Sequence, residues 1–129
     1  MSSAITLKLL AEKYSICRLA PQEALPDWAL NSGFVSITRT ARELSVVCLS
    51  DCVPAGISHE GGWRMFEFQG PFAFTQTGIL ASVLDPLARA EIGILALSTF
   101  DTDYLLVKEE RLADARNALV AANHIMDSR

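Results

Sequence analysis

The chain has 129 residues, half of them hydrophobic and a fifth charged, a balance typical of one globular domain or two very small ones. Its net charge is −4 without clusters of lysine or arginine, which disfavours binding to nucleic acid or an anionic membrane. Residues 1–10 lack the basic flank and cleavage site of a signal peptide, and no stretch is apolar enough to span a bilayer. We therefore expect a cytoplasmic protein.

The cysteines indicate free thiols. Cys17, Cys48 and Cys52 are an odd number in a chain without a signal peptide, as is usual in a reducing compartment. Their spacing does not suit zinc, and His59 and His124 form no second half of such a site. We expect small, buried apolar side chains, no metal site and no cofactor.

The first half of the chain alternates short apolar runs with turn residues. Pro26 suits the first position of a helix, which Asn31 to Gly33 would end, and Gly61-Gly62 marks a candidate boundary between two halves. The predicted elements are strands over Ile5–Leu10 and Lys13–Leu19, a short helix over Leu25–Leu30, hairpin strands over Phe34–Arg39 and Leu44–Leu49, and a helical turn with a linker over residues 51–60.

The second half has a clearer pattern. A strand over Trp63–Gln69 precedes a helix over Gly78–Ala90, for which Thr77 is the predicted N-cap and which Pro86 should kink or restart. The remaining elements are an apolar strand over Ile92–Leu97, predicted to be central and buried on both faces, a strand over Tyr104–Val107, a helix from Glu109 to about His124, and a frayed tail over Asp127–Arg129.

The two halves share a weak internal repeat. An offset of 60 residues superposes Phe34–Leu49 on Ile94–Glu109 without a gap. A repeated split βαβ unit of this kind folds as an antiparallel sheet with helices on one face. The predicted class is therefore α+β, with one unit over residues 1–61 that has short helices and a second over residues 62–129.

Nothing in the sequence forms a recognisable catalytic group. Asp101 and Asp103 alternate on a turn and could act as an acid/base pair, but no second group supports this hypothesis. Gly61-Gly62 lacks the lysine and the following helix that phosphate binding requires. We expect no catalytic residues and a protein that is not an enzyme.

Two segments suit a small zwitterionic ligand. Gln76, Thr77 and Gly78 precede a helix, whose free N–H groups favour a carboxylate. Ser98, Thr99, Asp101 and Asp103 end an apolar strand and could bind an ammonium group. Each position also has a structural interpretation, since Thr77 suits a helix cap, the aspartates suit a turn, and Phe100 could be a core aromatic.

Several runs of residues resemble a family of small proteins with two ACT units. The same pattern is found in the cytosolic arginine sensors of the mTORC1 pathway and resembles the regulatory ACT domains of aspartate kinases. The match covers nearly the whole chain, and its most specific part is Ser98–Val107. The matching runs are Tyr14–Leu19, Phe34–Thr40 and Glu43–Cys48 in the first half, and Gly62–Arg64, Thr77–Ala81, Pro86–Ala88 and Leu97–Val107 in the second.

The resemblance implies tandem ferredoxin-like βαββαβ units that bind a small amino acid at an interface between ACT units. Because this chain has one C-terminal unit of this type, it implies a homodimer. One subunit would offer the backbone of Gly93 and Ile94, and the partner would offer Asp103 for the cationic group. The full candidate set is Gln76, Thr77, Gly78, Ile79, Gly93, Ile94, Thr99, Phe100, Asp101 and Asp103.

One departure from the family pattern leaves an alternative open. The arginine sensors have an acidic residue where this chain has Gln76, so specificity for arginine does not transfer. The first hypothesis is a ligand sensor that alters the activity of a protein partner. The alternative is a ligand-independent protein–protein docking module with a vestigial cleft.

Overall fold

The computed structural model describes residues 4–70, 72–73 and 76–127. Its strands and helices follow the predicted order as far as the last helix, with shifts of a few residues at their ends, and a strand that was not predicted follows that helix. The strands are β1 (Thr6–Leu9), β2 (Tyr14–Leu19), β3 (Val35–Arg39), β4 (Leu44–Leu49), β5 (His59–Phe68), β6 (Ile94–Ser98), β7 (Asp103–Lys108) and β8 (Ile125–Asp127). The helices are α1 (Asp27–Leu30), α2 (Ile79–Arg89) and α3 (Leu112–Ala121), with short 3-10 turns over Ser50–Cys52 and Glu109–Arg111.

The backbone divides into two compact units. The N-terminal unit comprises residues 12–63, and the C-terminal unit comprises residues 64–127 together with residues 4–11. This differs from the predicted division into residues 1–61 and 62–129 at the start of the chain. The physical reason is strand pairing, since β1 is hydrogen-bonded to the 66–68 part of β5 and to β8.

The N-terminal unit is built on antiparallel strands in the order β3–β4–β2–β5. Alternate residues of β2 and β4 point to one face, where they pack with α1. The ring of Tyr14 meets the ring of Phe34 edge to face, with centroids 5.9 Å apart. The buried cluster between these strands and α1 consists of Cys17, Leu19, Ala29, Leu44, Val46 and Cys48.

The C-terminal unit has strands in the order β6–β7–β5–β1–β8, with α2 and α3 packed on them. Its pairs are antiparallel where the register is described, except for the parallel pair β1–β8. This arrangement confirms the predicted α+β class with an antiparallel-dominated sheet. The buried core consists of Ile5, Leu7, Phe66, Phe68, Val83, Leu87, Ile92, Leu105, Val107, Ala115 and Leu119.

The prediction that Ile92–Leu97 forms a central strand is wrong. The observed strand, β6, begins at Ile94 and pairs with β7, and within the described part of the chain no other strand pairs with it. Its apolar residues are half-buried rather than buried. The run of apolar residues was misleading because an edge strand that packs on one face and is partly shielded on the other has the same composition as a central strand.

Pro86 lies inside α2, and the helix continues through it without restarting. Proline has no N–H to donate, so the carbonyl of Ser82, four residues earlier, loses its helical partner. The imidazole Nε2 of His124 lies 2.8 Å from that carbonyl oxygen, and its Nδ1 accepts a hydrogen bond from the Ile5 N–H at 3.1 Å. Because a backbone N–H can only donate, the ring carries its proton on Nε2. His124 therefore replaces the donor that Pro86 removes.

Both long helices end in a residue with left-handed backbone. Glu91 follows α2 with φ 59°, and Asn123 follows α3 with φ 72°. In each case the next residue donates its N–H to the helix, from Ile92 to Leu87 O and from His124 to Leu119 O, both at 3.0 Å. This is the Schellman end of a helix, and after α3 it turns the chain so that His124 points back at α2.

The chain end differs in part from the predicted frayed tail. Asp127 belongs to β8, which pairs in parallel with β1, and its register partner is Lys8. The pairing begins where the Ile125 N–H donates to the Ile5 carbonyl at 3.0 Å. Residues 128 and 129, the rest of the predicted tail, lie outside the described residues.

The three cysteines are free thiols, and Cys17 and Cys48 are buried, as predicted. Cys52 is only half-buried and packs against the same apolar cluster. Burial, together with the neighbouring thiols of Cys17 and Cys52, raises the pKa of Cys48 to about 12. Burial also raises the pKa of Cys17, although a hydrogen bond with Cys48 opposes that shift.

The interaction of Pro86 and His124 can be measured as a coupling free energy. We expect His124→Ala to lower the free energy of unfolding by about 2–4 kcal/mol, since two buried backbone groups lose a partner. In a Pro86→Ala background, the new N–H can donate to the Ser82 carbonyl, so the same substitution should cost about 1 kcal/mol less. Urea unfolding of the four proteins measures both values.

His59→Ala is the matched control for this cycle. His59 is exposed, and its ring contacts the carbonyl of Ile57 two residues away. Its removal should change stability by no more than about 0.5 kcal/mol. An equal cost of His124→Ala in the two backgrounds would show that Pro86 and His124 do not act together.

The buried thiol of Cys48 predicts a loss of stability at high pH. In an unfolded chain a cysteine ionises near pH 8.5, whereas the folded protein retains the Cys48 proton up to about pH 12. Between these values the unfolded state binds fewer protons, so stability falls as pH rises, by up to about 1.4 kcal/mol per pH unit. Cys48→Ala should reduce this slope between pH 9 and 11, while the two curves run parallel below about pH 8. Parallel curves throughout would contradict the prediction.

Candidate functional site

A pocket in the C-terminal unit brings together most of the candidate residues. Its volume is about 190 Å³, and it lies between the segment before α2 and the turn that joins β6 to β7. Six of the ten candidates line it, whereas Thr77, Gly78, Gly93 and Ile94 do not. The lining residues are Phe72, Ala73, Gln76, Ile79, Ser98, Thr99, Phe100, Asp101, Thr102 and Asp103.

The start of α2 differs from the prediction in its cap. Gly78, not Thr77, is the N-cap, and no side chain makes a capping hydrogen bond there. Gly78 has φ 78°, a left-handed conformation that glycine adopts without strain, and its N-cap carbonyl accepts the Ser82 N–H at 2.9 Å. Thr77 is solvent-exposed. The left-handed turn places Ile79, the first helical residue, at the wall of the pocket.

The β6–β7 turn has a counterpart in the N-terminal unit. Thr99 donates its N–H to Thr102 O at 2.8 Å, and its hydroxyl accepts the Thr102 N–H at 3.3 Å. Thr40 makes the same two bonds with Glu43, at 2.9 and 3.2 Å. The Thr99 hydroxyl is thus a turn-forming group. The hairpins correspond with an offset of 59, from Thr40 to Thr99, rather than the predicted 60.

The corrected offset changes which residues correspond. Leu44 and Asp103 both begin the second strand of their hairpin, opposite Arg39 and Ser98. Leu44 is fully buried, whereas Asp103 is half-buried and lines the pocket. The predicted match of Glu43 with Asp103 paired a turn residue with a strand residue. A shift of one residue in a strand changes the face on which every side chain lies, and for this reason the offset matters.

The polar groups of the pocket are held by hydrogen bonds within the unit. The Ser98 hydroxyl donates to Oδ1 of Asp103 at 2.5 Å, and the Asp101 carbonyl accepts the Phe72 N–H at 2.9 Å. Phe100, considered above as a core aromatic, is 79% exposed. Ser98 was named as a hydroxyl at this strand end but not placed in the candidate set, and Phe72 and Ala73 had no sequence signal.

Gln76 is held in place by Ala73. The Ala73 N–H donates to the side-chain oxygen of Gln76 at 2.7 Å, and the Gln76 N–H donates to the Ala73 carbonyl at 2.9 Å. The contact of Phe72 with Asp101 ties this same segment to the β6–β7 turn. Phe72 is therefore bonded to the turn that precedes Asp103, and Gln76 is bonded to the residue that follows Phe72.

Gly93 and Ile94 lie at the opposite end of β6 from the pocket. Four residue steps of about 3.4 Å separate Ile94 from Ser98, so the two groups are about 14 Å apart along the strand. Within one copy of this unit the candidate set therefore falls into two groups. A Cβ at Gly93 would meet no atom within 4 Å, so space is not the reason for glycine there.

The outer edge of β6 presents unpaired backbone groups. The Thr99 N–H donates to Thr102 O, so these two residues form a hydrogen-bonded pair. Along the hairpin such pairs alternate with pairs that are not hydrogen-bonded to each other. The N–H and C=O groups of Ile94, Ala96 and Ser98 consequently point away from β7. No strand of the described chain pairs with them.

A second pocket, of about 350 Å³, lies beside the same turn. Two carboxylates, of Glu67 and Asp101, line it together with Tyr104, whose hydroxyl donates to Glu67 Oε2 at 3.1 Å. Burial, and next the hydrogen bond and charge of Glu67, raise the pKa of Tyr104. Glu67 and Tyr104 were not among the candidates, because their contact depends on the pairing of strands distant in sequence.

No group of three or more His, Cys, Asp or Glu side chains that could hold a metal ion is present among the described residues. The helices of the described chain are all too short or too polar to cross a membrane.

Two family models match the chain. A model of an N-terminal domain matches residues 12–56, within the N-terminal unit, and a model of the ACT domain matches residues 58–121. The chain belongs to the ACT domain family. ACT domains are typically regulatory and bind amino acids.

Two solved structures share the fold of this chain. A crystal structure of a protein from Agobacterium tumefaciens is 48% identical, with a TM-score of 0.93 over 99% of this chain and 96% of that chain. Aspartate kinase from Synechocystis is 14% identical and shares the fold, with a TM-score of 0.66 over 98% of this chain and 28% of the kinase.

The human cytosolic arginine sensor for mTORC1 subunit 1 is 34% identical over 93 residues, which is 71% of this chain and 28% of the sensor. The chain thus spans little more than a quarter of that relative. The resemblance to the ACT units of arginine sensors and of aspartate kinases is confirmed.

Proposed function

We propose that this chain is a non-catalytic, cytoplasmic regulatory module that binds a small amino acid at an interface between ACT units of a homodimer. The observation that carries the proposal is the position of the two candidate groups at opposite ends of an edge strand. If two β6 edges pair antiparallel about a two-fold axis, Ile94 of one copy approaches Ser98 of the other. Each of the two sites then combines a pocket from one copy with the backbone of Gly93 and Ile94 from its partner.

The chemistry of the pocket suits an amino acid backbone. Asp103 has one carboxylate oxygen bonded to Ser98, so its second oxygen is available to a ligand ammonium group. The N–H groups at the start of α2, beside Ile79, favour the ligand carboxylate through the helix dipole. Binding would alter the activity of a protein partner, and it requires no cofactor.

The alternative is a docking module that needs no ligand. It is favoured by the hydrogen bonds that Ser98, Thr99 and Gln76 already make within the unit, which leave few polar groups in need of a partner. The exposed ring of Phe100 would then contact a protein. Retention of a partner by Asp103→Asn, with or without amino acids, would support this alternative.

A thermal-shift screen against the twenty amino acids tests for a ligand. An amino acid that binds only the folded protein stabilises it by about 2.7 kcal/mol at a hundred times its Kd. Asp103→Asn keeps the size of the side chain but removes its charge, so it should abolish the shift. Asp114→Asn, which neutralises an exposed carboxylate on α3, should leave the shift intact. A shift of equal size in both variants would exclude Asp103 from the site, and no shift in the wild-type protein would reject the sensor.

The dimer is tested at Ala96, whose N–H points away from β7. Ala96→Pro removes an outward donor and leaves the β6–β7 hydrogen bonds in place, so it should convert the dimer to a monomer. Ala96→Val changes the side chain but keeps the N–H, and it should remain dimeric. Sedimentation velocity at several concentrations measures both. A wild-type protein that is monomeric at saturating ligand would contradict the proposed interface.

A further inference from the structure

The larger of the two pockets beside the β6–β7 turn lies on the face of the C-terminal sheet that α2 and α3 do not cover. Leu105 belongs to the core beneath these helices, and successive side chains of a strand point to opposite faces. Asp103 therefore shares the face of Leu105, whereas Tyr104 points to the other side. Glu67 lies between two core residues of β5 and for the same reason shares the face of Tyr104.

Hydrogen bonds and a close backbone approach fix the walls of this pocket. The Thr102 hydroxyl donates to the Phe68 carbonyl at 2.7 Å, and the Phe72 N–H donates to the Asp101 carbonyl at 2.9 Å. These bonds hold the turn against the end of β5 and the segment after it. A Cβ at Gly70 would lie only 3.2 Å from the Asp101 carbonyl oxygen, so glycine permits this approach. The pocket of about 350 Å³ is therefore bounded by residues in fixed positions.

The side-chain donors of the lining are engaged within the unit. The Tyr104 hydroxyl donates to Glu67 Oε2 at 3.1 Å, and the side-chain nitrogen of Gln69 lies 3.4 Å from Glu67 Oε1. Both threonine hydroxyls of the lining donate to backbone carbonyls. The exposed side chain of Asp101 adds a second carboxylate. The side chains of this pocket therefore offer a ligand acceptor atoms and negative charge.

This lining suits an organic cation better than a metal ion. Glu67 and Asp101 contribute two negative charges, and none of the described lining residues is lysine, arginine or histidine. Among the residues that the structure describes, no three His, Cys, Asp or Glu side chains are grouped so that they could hold a metal ion. A primary ammonium group has three donors for the acceptors of the pocket, and the ring of Tyr104 provides an aromatic surface for a cation or its alkyl chain.

We propose that this pocket is a second ligand site, which binds the ammonium group of a small organic amine between Glu67 and Asp101. It differs from the proposed amino acid site, because Glu67 and Tyr104 line this pocket alone and Asp103 lines the other alone. Asp101 lines both, since the β6–β7 turn is their common wall. The second site goes beyond the proposed function and does not depend on it.

Two probes of similar size test the requirement for charge. Butylamine and butanol are titrated into the full chain at neutral pH, and the backbone N–H resonances of residues 67–70 and 99–104 are followed by NMR. Butylamine should bind about tenfold more tightly than butanol, because its ammonium group forms charge-assisted hydrogen bonds. Equal affinity for the two probes, or no binding of butylamine, would overturn the proposal.

Two variants test the carboxylates. Glu67→Gln keeps the size of the side chain and an acceptor for the Tyr104 hydroxyl but removes the charge, so it should weaken butylamine about tenfold. Asp101→Asn, at an exposed turn position, should have the same effect, and it serves as the test if Glu67→Gln lowers stability. Glu12→Gln removes an equal charge at an exposed position of the N-terminal unit and should leave the affinity unchanged.

Asp103→Asn distinguishes the two pockets. It leaves the lining of the 350 Å³ pocket intact, so butylamine should bind as it does to the wild type. Loss of butylamine binding in Asp103→Asn but not in Glu67→Gln would place the amine in the amino acid pocket and overturn the proposal. Unchanged affinity in both Glu67→Gln and Asp101→Asn would also overturn it. If butylamine binds as expected and no amino acid does, the proposed function fails and the second site is retained.

Discussion

A single buried imidazole connects three parts of the C-terminal unit. His124 donates to a carbonyl of α2 and accepts from the N–H of Ile5 next to β1, and it is held there by the turn that ends α3. The carbonyl of Ser82 needs this donor because Pro86 cannot supply one. The contact helps to hold α2 in place. Because α2 begins at the pocket wall, it also helps to position that wall.

The two hairpins show how one structural device serves two purposes. Thr40 and Thr99 form the same turn with the same hydrogen bonds, so each hairpin has a fixed shape regardless of function. The difference comes at the next strand position, where Leu44 is buried in a core and Asp103 lines a pocket. A carboxylate at that position cannot be buried without a partner, and Ser98 supplies one. The same turn therefore precedes a core residue in one unit and a pocket residue in the other.

The proposed site is divided between copies of the chain, and this has a thermodynamic consequence. If each pocket is completed by the edge of the partner's β6, ligand binding and dimerisation stabilise each other by the same free energy. A regulatory domain can use this coupling, because a change in amino acid concentration becomes a change in association. The half-buried apolar side chains of β6 and its outward backbone groups are features that strand pairing would cover.

The sequence by itself determined the order of strands and helices as far as α3 and the α+β class, because apolar periodicity and turn residues are local properties. The family followed from the resemblance of its residue runs. Gln76, Asp101 and Asp103 were candidates from turn chemistry and the family pattern, and the structure places all three around one pocket. The sequence could not show that Ile94–Ser98 is an edge strand, that β1 pairs within the C-terminal unit, or that Glu67 meets Tyr104. Nor could it show that Gly78 rather than Thr77 caps α2, or that His124 offsets Pro86. Those features depend on contacts between residues distant in the chain or on backbone angles, and only the tertiary structure decides them.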